Sequence, residues 1–342
     1  MKESKPKILL VTTGGTISMQ KSEDGTFLPS NSSDSQQLTA SIPELNELAA
    51  IDILQLANID STNLQPELWA KIAQTIYKNY KNYEGFVLAH GTDTLAYTAS
   101  ALSFMIQELG KPIAITGSQV PLMQIGSDGR NNLINAVRVA ISDIAEVAVV
   151  FGSTIIKGSR AKKVSAFDME AFSSVNDAEM GKIGLSLKFS KGTQYRSKKK
   201  PILRTELETN IAMLPVYPGI KPEVIDFLAE THKGIVLEGY GAGNIPTGEF
   251  GIDLAVKRAI DKGVPVVICT QCVIGSTEME LYQVGRSALD AGAIPAMDMT
   301  PESAFVKLMW VMAQTKDLSS IAAMMQKNFA GEVHELGGLY DI

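Results

Sequence analysis

The chain is poor in the side chains on which most metal and redox proteins depend. Its 342 residues include two cysteines and three histidines. The histidines stand apart at His90, His232 and His334, so the Cys269-x-x-Cys272 spacing lacks the further ligands of a tetrahedral zinc site. Two buried or half-buried thiols at a strand end are expected instead, with no metal and no cofactor. A basic excess is missing too. Thirty-one Lys and Arg against 37 Asp and Glu give a net charge of −6, which leaves nothing to displace counterions from phosphates and argues against a nucleic-acid partner. The one basic run, Lys188 to Lys200, reads as a solvated connector. No apolar stretch approaches the roughly 18 residues needed to cross a bilayer, so no membrane partner is expected. The segment Met1 to Lys7 runs into the first strand without an apolar signal core, and a cytoplasmic protein is the expectation.

What the chain does have is Lys7-Ile-Leu-Leu-Val-Thr-Thr-Gly-Gly-Thr-Ile-Ser18, a continuous apolar, β-branched run emptying into a turn of hydroxyls and glycines. Such a run marks a strand buried on both faces of a parallel sheet. It delivers Thr12, Thr13 and Thr16 to the carboxyl edge, where open α/β sheets leave a crevice for ligands. Gly14 and Gly15 have no Cβ, so they can turn at positive φ and let backbone lie against a substrate. Neither phosphate-cradle spacing, G-x-G-x-x-G or G-x-x-x-x-G-K-[ST], is present here. Taken alone, the turn is equally a structural strand-to-turn junction.

A second apolar run, Gly85-Phe-Val-Leu-Ala89, ends the same way in His90-Gly-Thr-Asp-Thr94. Two threonines at neighbouring strand ends would face one crevice, with Asp93 beside the second. A hydroxyl nucleophile needs a base and a group to hold that base, and Thr92, Lys163 and Asp93 are candidates for such a relay. A lysine buried at the sheet edge would accept a proton near neutrality, because desolvation penalises the ammonium.

Between these two strand ends, Met19 to Pro43 shows no helical or strand period and reads as a long mobile loop, a candidate lid. Strands and helices then alternate: strand 51–57, helix 66–80, strand 85–89, helix 96–109, strand 112–116, helix 128–144 and strand 147–151. An irregular segment to Asn176 carries Arg160, Lys162 and Lys163. This pattern predicts an α/β fold, with a doubly wound parallel sheet in a larger N-terminal domain over 1–190. The composition turns polar and basic over 191–209, which marks a linker. The alternation restarts over 210–342 as a smaller C-terminal α/β domain. Two helices close it, the first with Thr300 at its N-cap and Pro301 and Glu302 in its opening turn.

The turn motifs Thr13-Gly-Gly-Thr-Ile17, His90-Gly-Thr-Asp-Thr94 and Thr116-Gly-Ser-Gln119, with the run Tyr97 to Met105, resemble the bacterial-type L-asparaginases. The cytoplasmic type I branch is the nearer likeness. Asp60-Ser61, Arg160-x-x-Lys163, Gly239-Tyr-Gly-x-Gly-Asn244, Thr270-Gln-Cys272 and Asp298-Met-Thr300 extend the likeness, in order, over nearly the whole chain. The resemblance implies an asparaginase-like fold and hydrolysis of the side-chain amide of L-asparagine to aspartate and ammonia. It also implies a threonine acyl-enzyme, room for a weak glutaminase activity, no cofactor, and a homo-oligomer (a dimer or a dimer of dimers) with sites at the dimer interface. On the matching positions Thr16 is the nucleophile, while Thr92 and Lys163 are the second threonine and the lysine. Asp93, Asp60 and Ser61 hold the α-amino and α-carboxylate groups, with the Gly15 backbone beside them. Asn244 and Glu278 match residues that reach into the adjacent subunit's site.

Two departures stand out. The family's lid tyrosine has no counterpart, since no Tyr precedes Tyr77; the loop reads Gly25-Thr-Phe-Leu-Pro29, so Thr26 or Phe27 occupies its place or the lid works differently. Type I enzymes can also carry a second, regulatory asparagine site near the cysteine of Thr-Gln-Cys; Cys272 is present here, but Lys162, not a small hydroxyl residue, precedes Lys163. Two alternatives therefore accompany the hydrolase reading. One is a non-catalytic asparagine-binding or sensing protein. The other is the asparaginase-like subunit of the tRNA-dependent amidotransferase, which carries an additional N-terminal domain; a first strand at about residue 7 favours the free-standing enzyme.

Overall fold

The computed structural model describes residues 4–15, 19–21, 27–29 and 41–334. The chain divides into two compact units, 1–205 and 206–342. In the first, the strands in chain order are β1 (Lys7–Gly14), β2 (Met19–Lys21), β3 (Phe27–Pro29), β4 (Ala50–Ile59), β5 (Gly85–Ala89), β6 (Ile106–Gln107) and β7 (Ile113–Thr116). They continue as β8 (Val147–Phe151), β9 (Thr154–Lys157), β10 (Ala161–Lys163), β11 (Phe172–Ser174), β12 (Gly181–Ile183), β13 (Leu187–Phe189) and β14 (Ile202–Leu203). The main sheet runs β13-β12-β9-β8-β7-β5-β1-β4. From β4 to β8 all neighbours are parallel, and Thr12 of β1 stands in register with Ala89 of β5.

The helices take their positions from pattern. In the helix Pro66–Asn79, Pro66 suits the first turn, and Trp69, Ile72, Ala73 and Ile76 are buried at the i, i+3, i+4, i+7 spacing of one face. The helix Leu95–Met105 is buried nearly all round, as expected of a uniformly apolar helix inside a large core. The helix Gly129–Ala140 covers the opposite face, and Leu133, Ala136, Val137 and Ala140 join the core of Ile8, Leu10, Val87 and Ala114.

Several expectations change. Within the expected lid, β2 and β3 form an antiparallel pair, and a short helix, Leu45–Leu48, follows; the remainder lies outside the described residues. The helix expected to reach Leu109 stops at Met105, because Ile106–Gln107 leave it to pair with β14. The helix expected to reach Ile144 ends at Ala140, and Ile144 instead bridges to Tyr195. The segment read as irregular after Phe151 turns at Gly152 (φ +56°) and comes back as β9, antiparallel to β8. β12 and β13 extend that antiparallel edge, so the sheet is mixed.

The lysines of the basic run are exposed, as expected of a solvated connector, but Arg196 among them is not free in solvent. Arg196 donates to the carbonyls of Ser142 (2.7 Å), Ala140 (3.1 Å) and Glu84 (2.5 Å), and Gln194 N donates to Glu146 Oε1 at 2.7 Å. Burial lowers the Arg196 guanidinium from its ordinary value, with Glu84 and Asp143 opposing. These bonds hold the segment against the first unit.

The second unit is a parallel sheet of β15 (Ile211–Pro215), β16 (Gly234–Gly239), β17 (Val266–Thr270) and β18 (Ile294–Pro295), in that order. The helices Pro222–Thr231, Ile252–Asp261 and Gln283–Asp290 pack Ile225, Val256 and Ala288 onto Ile235, Leu237 and Ile268. The helix Pro301–Gln314 begins as expected, Thr300 Oγ1 accepting from Ser303 N at 3.1 Å. Met309, Met312 and Met325 are buried, as core gap-fillers should be. An ion pair between Lys307 and Glu332 is wholly buried there at 2.6 Å.

Candidate active site

Three strand ends meet at the carboxyl edge of the first sheet, and glycines set how closely. Gly14 and Gly15 take φ of +97° and +81°. Gly15 N donates to Ile59 O at 3.1 Å, beside a bulge where β4 slips against β1. A Cβ on Gly15 would stand 2.4 Å from the Cα of Gly91, and one on Gly91 would stand 2.5 Å from Ser61 Oγ. The turns after β1 and β5 therefore touch backbone to backbone, and the Ser61 side chain of the turn after β4 closes on Gly91, a closeness that only glycine permits.

Not all the expected hydroxyls face this crevice. Thr13 is buried, and its Oγ1 donates to Ala89 O at 3.3 Å, tying β1 to β5. Thr12 is buried as well. Thr16, with Thr26, lies outside the described residues. Ser61 is buried against Gly91, and Ser61 O accepts from Thr94 Oγ1 at 2.8 Å. Asp60 Oδ1 accepts from Thr62 N (2.9 Å) and Thr62 Oγ1 (2.8 Å), so the turn itself holds that carboxylate in place.

Lys163 comes from β10, 71 positions along the chain from Thr92, yet its Nζ donates to Thr92 Oγ1 at 2.9 Å and to Asp93 Oδ1 at 2.6 Å. The lysine side chain keeps 21% of its exposure and Asp93 keeps 54%. Lys163 is thus a half-buried, ion-paired group, not the isolated lysine in apolar surroundings that desolvation alone would govern. Thr92 Oγ1 in turn donates to Gln119 Oε1 at 3.2 Å, while Gln119 Nε2 donates to Asp168 O at 3.2 Å. Asp128 fixes that glutamine by accepting from Gln119 N, at 3.0 Å to each oxygen, and from Val120 N at 3.1 Å. Gln119 belongs to the Thr116-Gly-Ser-Gln119 motif, yet nothing in the residue pattern assigns it a contact. Its position after an apolar strand, like that of Thr92, was the available signal.

His90 is fully buried behind the second turn, and desolvation pushes it down to about 4, against a smaller upward pull from its bond to Gly91 O. It is neutral at ordinary pH. Its Nδ1 lies 2.6 Å from Gly91 O and its Nε2 lies 2.9 Å from Thr98 Oγ1, which also accepts from Trp69 Nε1 at 2.9 Å.

In the second unit, Gly243 takes φ +90° and packs on Thr277 and Met279, which brings the turn carrying Asn244 against the segment carrying Glu278. Asn244 Oδ1 is buried without a hydrogen-bond partner among the described residues, and Glu278 is half-buried. Cys269 is buried with its thiol 3.5 Å from Leu237 O, and Cys272 is exposed. Among the described residues no cluster of His, Cys, Asp or Glu is arranged to hold a metal ion. No helix among them is long and apolar enough to cross a membrane.

Comparison with known proteins matches residues 7–195 to the asparaginase N-terminal domain and residues 210–325 to the glutaminase/asparaginase C-terminal domain. The L-asparaginase of Thermococcus kodakarensis is 38% identical over 96% of this chain and 99% of its own. Its solved structure superposes with a TM-score of 0.90. L-asparaginase I of Vibrio cholerae, also of known structure, is 36% identical over 97% of this chain and all of its own, with a TM-score of 0.87. A glutamyl-tRNA(Gln) amidotransferase subunit of Pyrococcus abyssi is 39% identical over 96% of this chain but only 77% of its own length.

Proposed function

The chain belongs to the asparaginase family, and on that premise we propose that it is an L-asparagine amidohydrolase, releasing aspartate and ammonia through a threonine ester. The observation that carries the reading is the contact of Lys163 Nζ with both Thr92 Oγ1 and Asp93, beside the Gly15 and Ser61 turns. A side-chain amide is unreactive, so the site must supply an oxygen nucleophile, a route for its proton, and a donor for the leaving nitrogen.

Thr16 Oγ attacks the carbonyl carbon, and its proton passes to the leaving nitrogen, which departs as ammonia. A water then attacks the ester and returns the proton to Thr16. The set Thr92, Lys163 and Asp93 guides these transfers, with Asp93 holding the lysine as a base-orienting group does in acyl-transfer sites. Asp60, Ser61, Asp93 and the Gly15 backbone hold the amino acid's charged end. No cofactor takes part. Replacing Thr16 by Ala should abolish ammonia release from asparagine while leaving circular dichroism unchanged. Full activity in that variant would remove the covalent route.

Asn244 and Glu278 belong to the reading as groups offered to the site of a second copy, and the unpaired Asn244 Oδ1 supports it. Mixing Thr16→Ala with Asn244→Asp protein under conditions of subunit exchange should restore activity in mixed dimers. Exchange confirmed by mass without activity would leave each subunit self-sufficient. Residence in the cytoplasm is part of the proposal, and recovery in a secreted fraction would overturn it.

A second reading is favoured by the likeness to the Pyrococcus amidotransferase protein, which is as strong as that to the asparaginases. Ammonia release by the purified protein alone speaks for the hydrolase. Release only with a partner protein and tRNA speaks for the amidotransferase, and asparagine binding without any release for a sensing protein.

A further inference from the structure

We propose that His90, locked from behind by Thr98 and Trp69, is a positioning residue that fixes the Gly91–Thr92 peptide plane and through it the Thr92 hydroxyl. The inference rests on the proposed part of Thr92 in the chemistry.

A steric demand comes first. Residue 91 must be glycine, because a Cβ there would fall 2.5 Å from Ser61 Oγ and 2.7 Å from Ser61 Cβ. Glycine, however, leaves the torsion that orients the following peptide nearly free, and that peptide carries Thr92. Thr92 cannot tolerate the freedom, since its Oγ1 must meet Lys163 Nζ at 2.9 Å and Gln119 Oε1 at 3.2 Å at once. Something outside the glycine has to hold the plane.

The imidazole does so through the one atom of that peptide it can reach. Gly91 O only accepts, so the contact at 2.6 Å requires the proton on His90 Nδ1. In the neutral ring Nε2 is then an acceptor, and its partner at 2.9 Å, Thr98 Oγ1, must donate to it. Thr98 Oγ1 accepts in turn from Trp69 Nε1, which is donor only. Every proton in the chain Trp69, Thr98, His90, Gly91 therefore has one possible direction, and the tautomer is set by a rigid indole on another helix. His90 itself is anchored by its backbone N–H to Thr116 O at 2.8 Å. A Cβ on Gly117 would fall 2.4 Å from His90 O, so the neighbouring strand end also closes on this residue.

The test combines spectroscopy with kinetics on the full-length protein. Nitrogen-15 NMR of wild-type protein should show His90 as the Nδ1–H tautomer, and Thr98→Val should turn it into a mixture. In Thr98→Val, amide hydrogen exchange at Gly91 to Asp93 should quicken. Asparagine kcat should fall by on the order of tenfold with KM within about twofold, a partial loosening against the roughly hundredfold that a misplacement of about 1 Å can cost. His90→Asn, whose side-chain amide can still donate to Gly91 O, should retain most of kcat, whereas His90→Leu should lose about a hundredfold. An Nε2–H tautomer in the wild type overturns the proposal. So do unchanged exchange and unchanged kcat in Thr98→Val, a result that stands even if His90→Leu fails to fold. Should the wild-type protein turn over no asparagine, the hydrolase reading falls while the tautomer and the exchange rates still decide this one.

Discussion

Replacing Lys307 by Met tests how the segment Met325 to Glu332 is held to the helix Pro301–Gln314. Lys307 and Glu332 are both fully buried and paired at 2.6 Å, and Lys307 Nζ also donates to Met325 O (2.8 Å) and Lys327 O (2.6 Å). Glu332 accepts from Phe329 N at 3.1 Å and Ala330 N at 2.7 Å. Methionine fills similar volume and keeps contact with the Phe329 ring, over which the ammonium lies at 5.5 Å. It leaves a buried carboxylate without its cation and two carbonyls without their donor.

Breaking one side of a buried pair costs about 3–5 kcal/mol, and the retained bulk argues for the lower end. With a urea slope of about 2 kcal/mol/M, a loss of about 3 kcal/mol moves the midpoint by roughly 1.5 M. The chain has two tryptophans, and Trp310 packs edge-on against Phe329 at 5.1 Å. Its fluorescence in a Trp69→Phe background therefore reports this segment directly. The double change Lys307→Met with Glu332→Gln should recover about 1–3 kcal/mol, because the uncompensated charge is gone while backbone donors keep an acceptor. A single-variant cost below about 1 kcal/mol, or a double variant no better than the single, would refute the reasoning.

Lys163→Met and Thr92→Val should each lower kcat for asparagine by about 10²–10⁴ with the melting temperature little changed, since both side chains are spent on the relay; wild-type turnover in either would place the proton route elsewhere. His90 titrates at about 4 when folded, against about 6.5 when unfolded, so the unfolded chain binds more protons between those values. Stability should fall by about 3 kcal/mol as pH drops from 6.5 to 4, and His90→Asn should flatten that part of the urea-midpoint profile; an identical slope in the variant would show that other groups cause it. Gly15→Ala puts a methyl 2.4 Å from Gly91 at φ +81° and should cost about 2–4 kcal/mol together with activity. A variant with wild-type midpoint and kcat would mean the two turns need not touch.

The sequence by itself determined the parts of this protein whose cause is local. The runs Ile8 to Val11 and Phe86 to Ala89 are apolar without interruption, and they are strands buried on both faces. Trp69, Ile72, Ala73 and Ile76 recur at helical spacing, and they form the inner face of a helix. The glycines after β1 and β5 declared turns with no room for a side chain, and the ordered motifs declared the family. Tertiary structure decided whatever depends on partners distant in sequence. Lys163 meets Thr92 only because β9 folds back on β8 and β10 follows, and nothing periodic in 152–163 marks that return. Arg196 looked as solvated as the exposed lysines around it, because its charge is visible in sequence while the carbonyls of Glu84, Ala140 and Ser142 that receive it are not. Thr13 looked like a site hydroxyl until register spent it on Ala89 O. His90 and Lys307 carry no local signal of burial either, since a polar group is buried only where donors and acceptors converge on it in space, and periodicity along the chain cannot record that convergence.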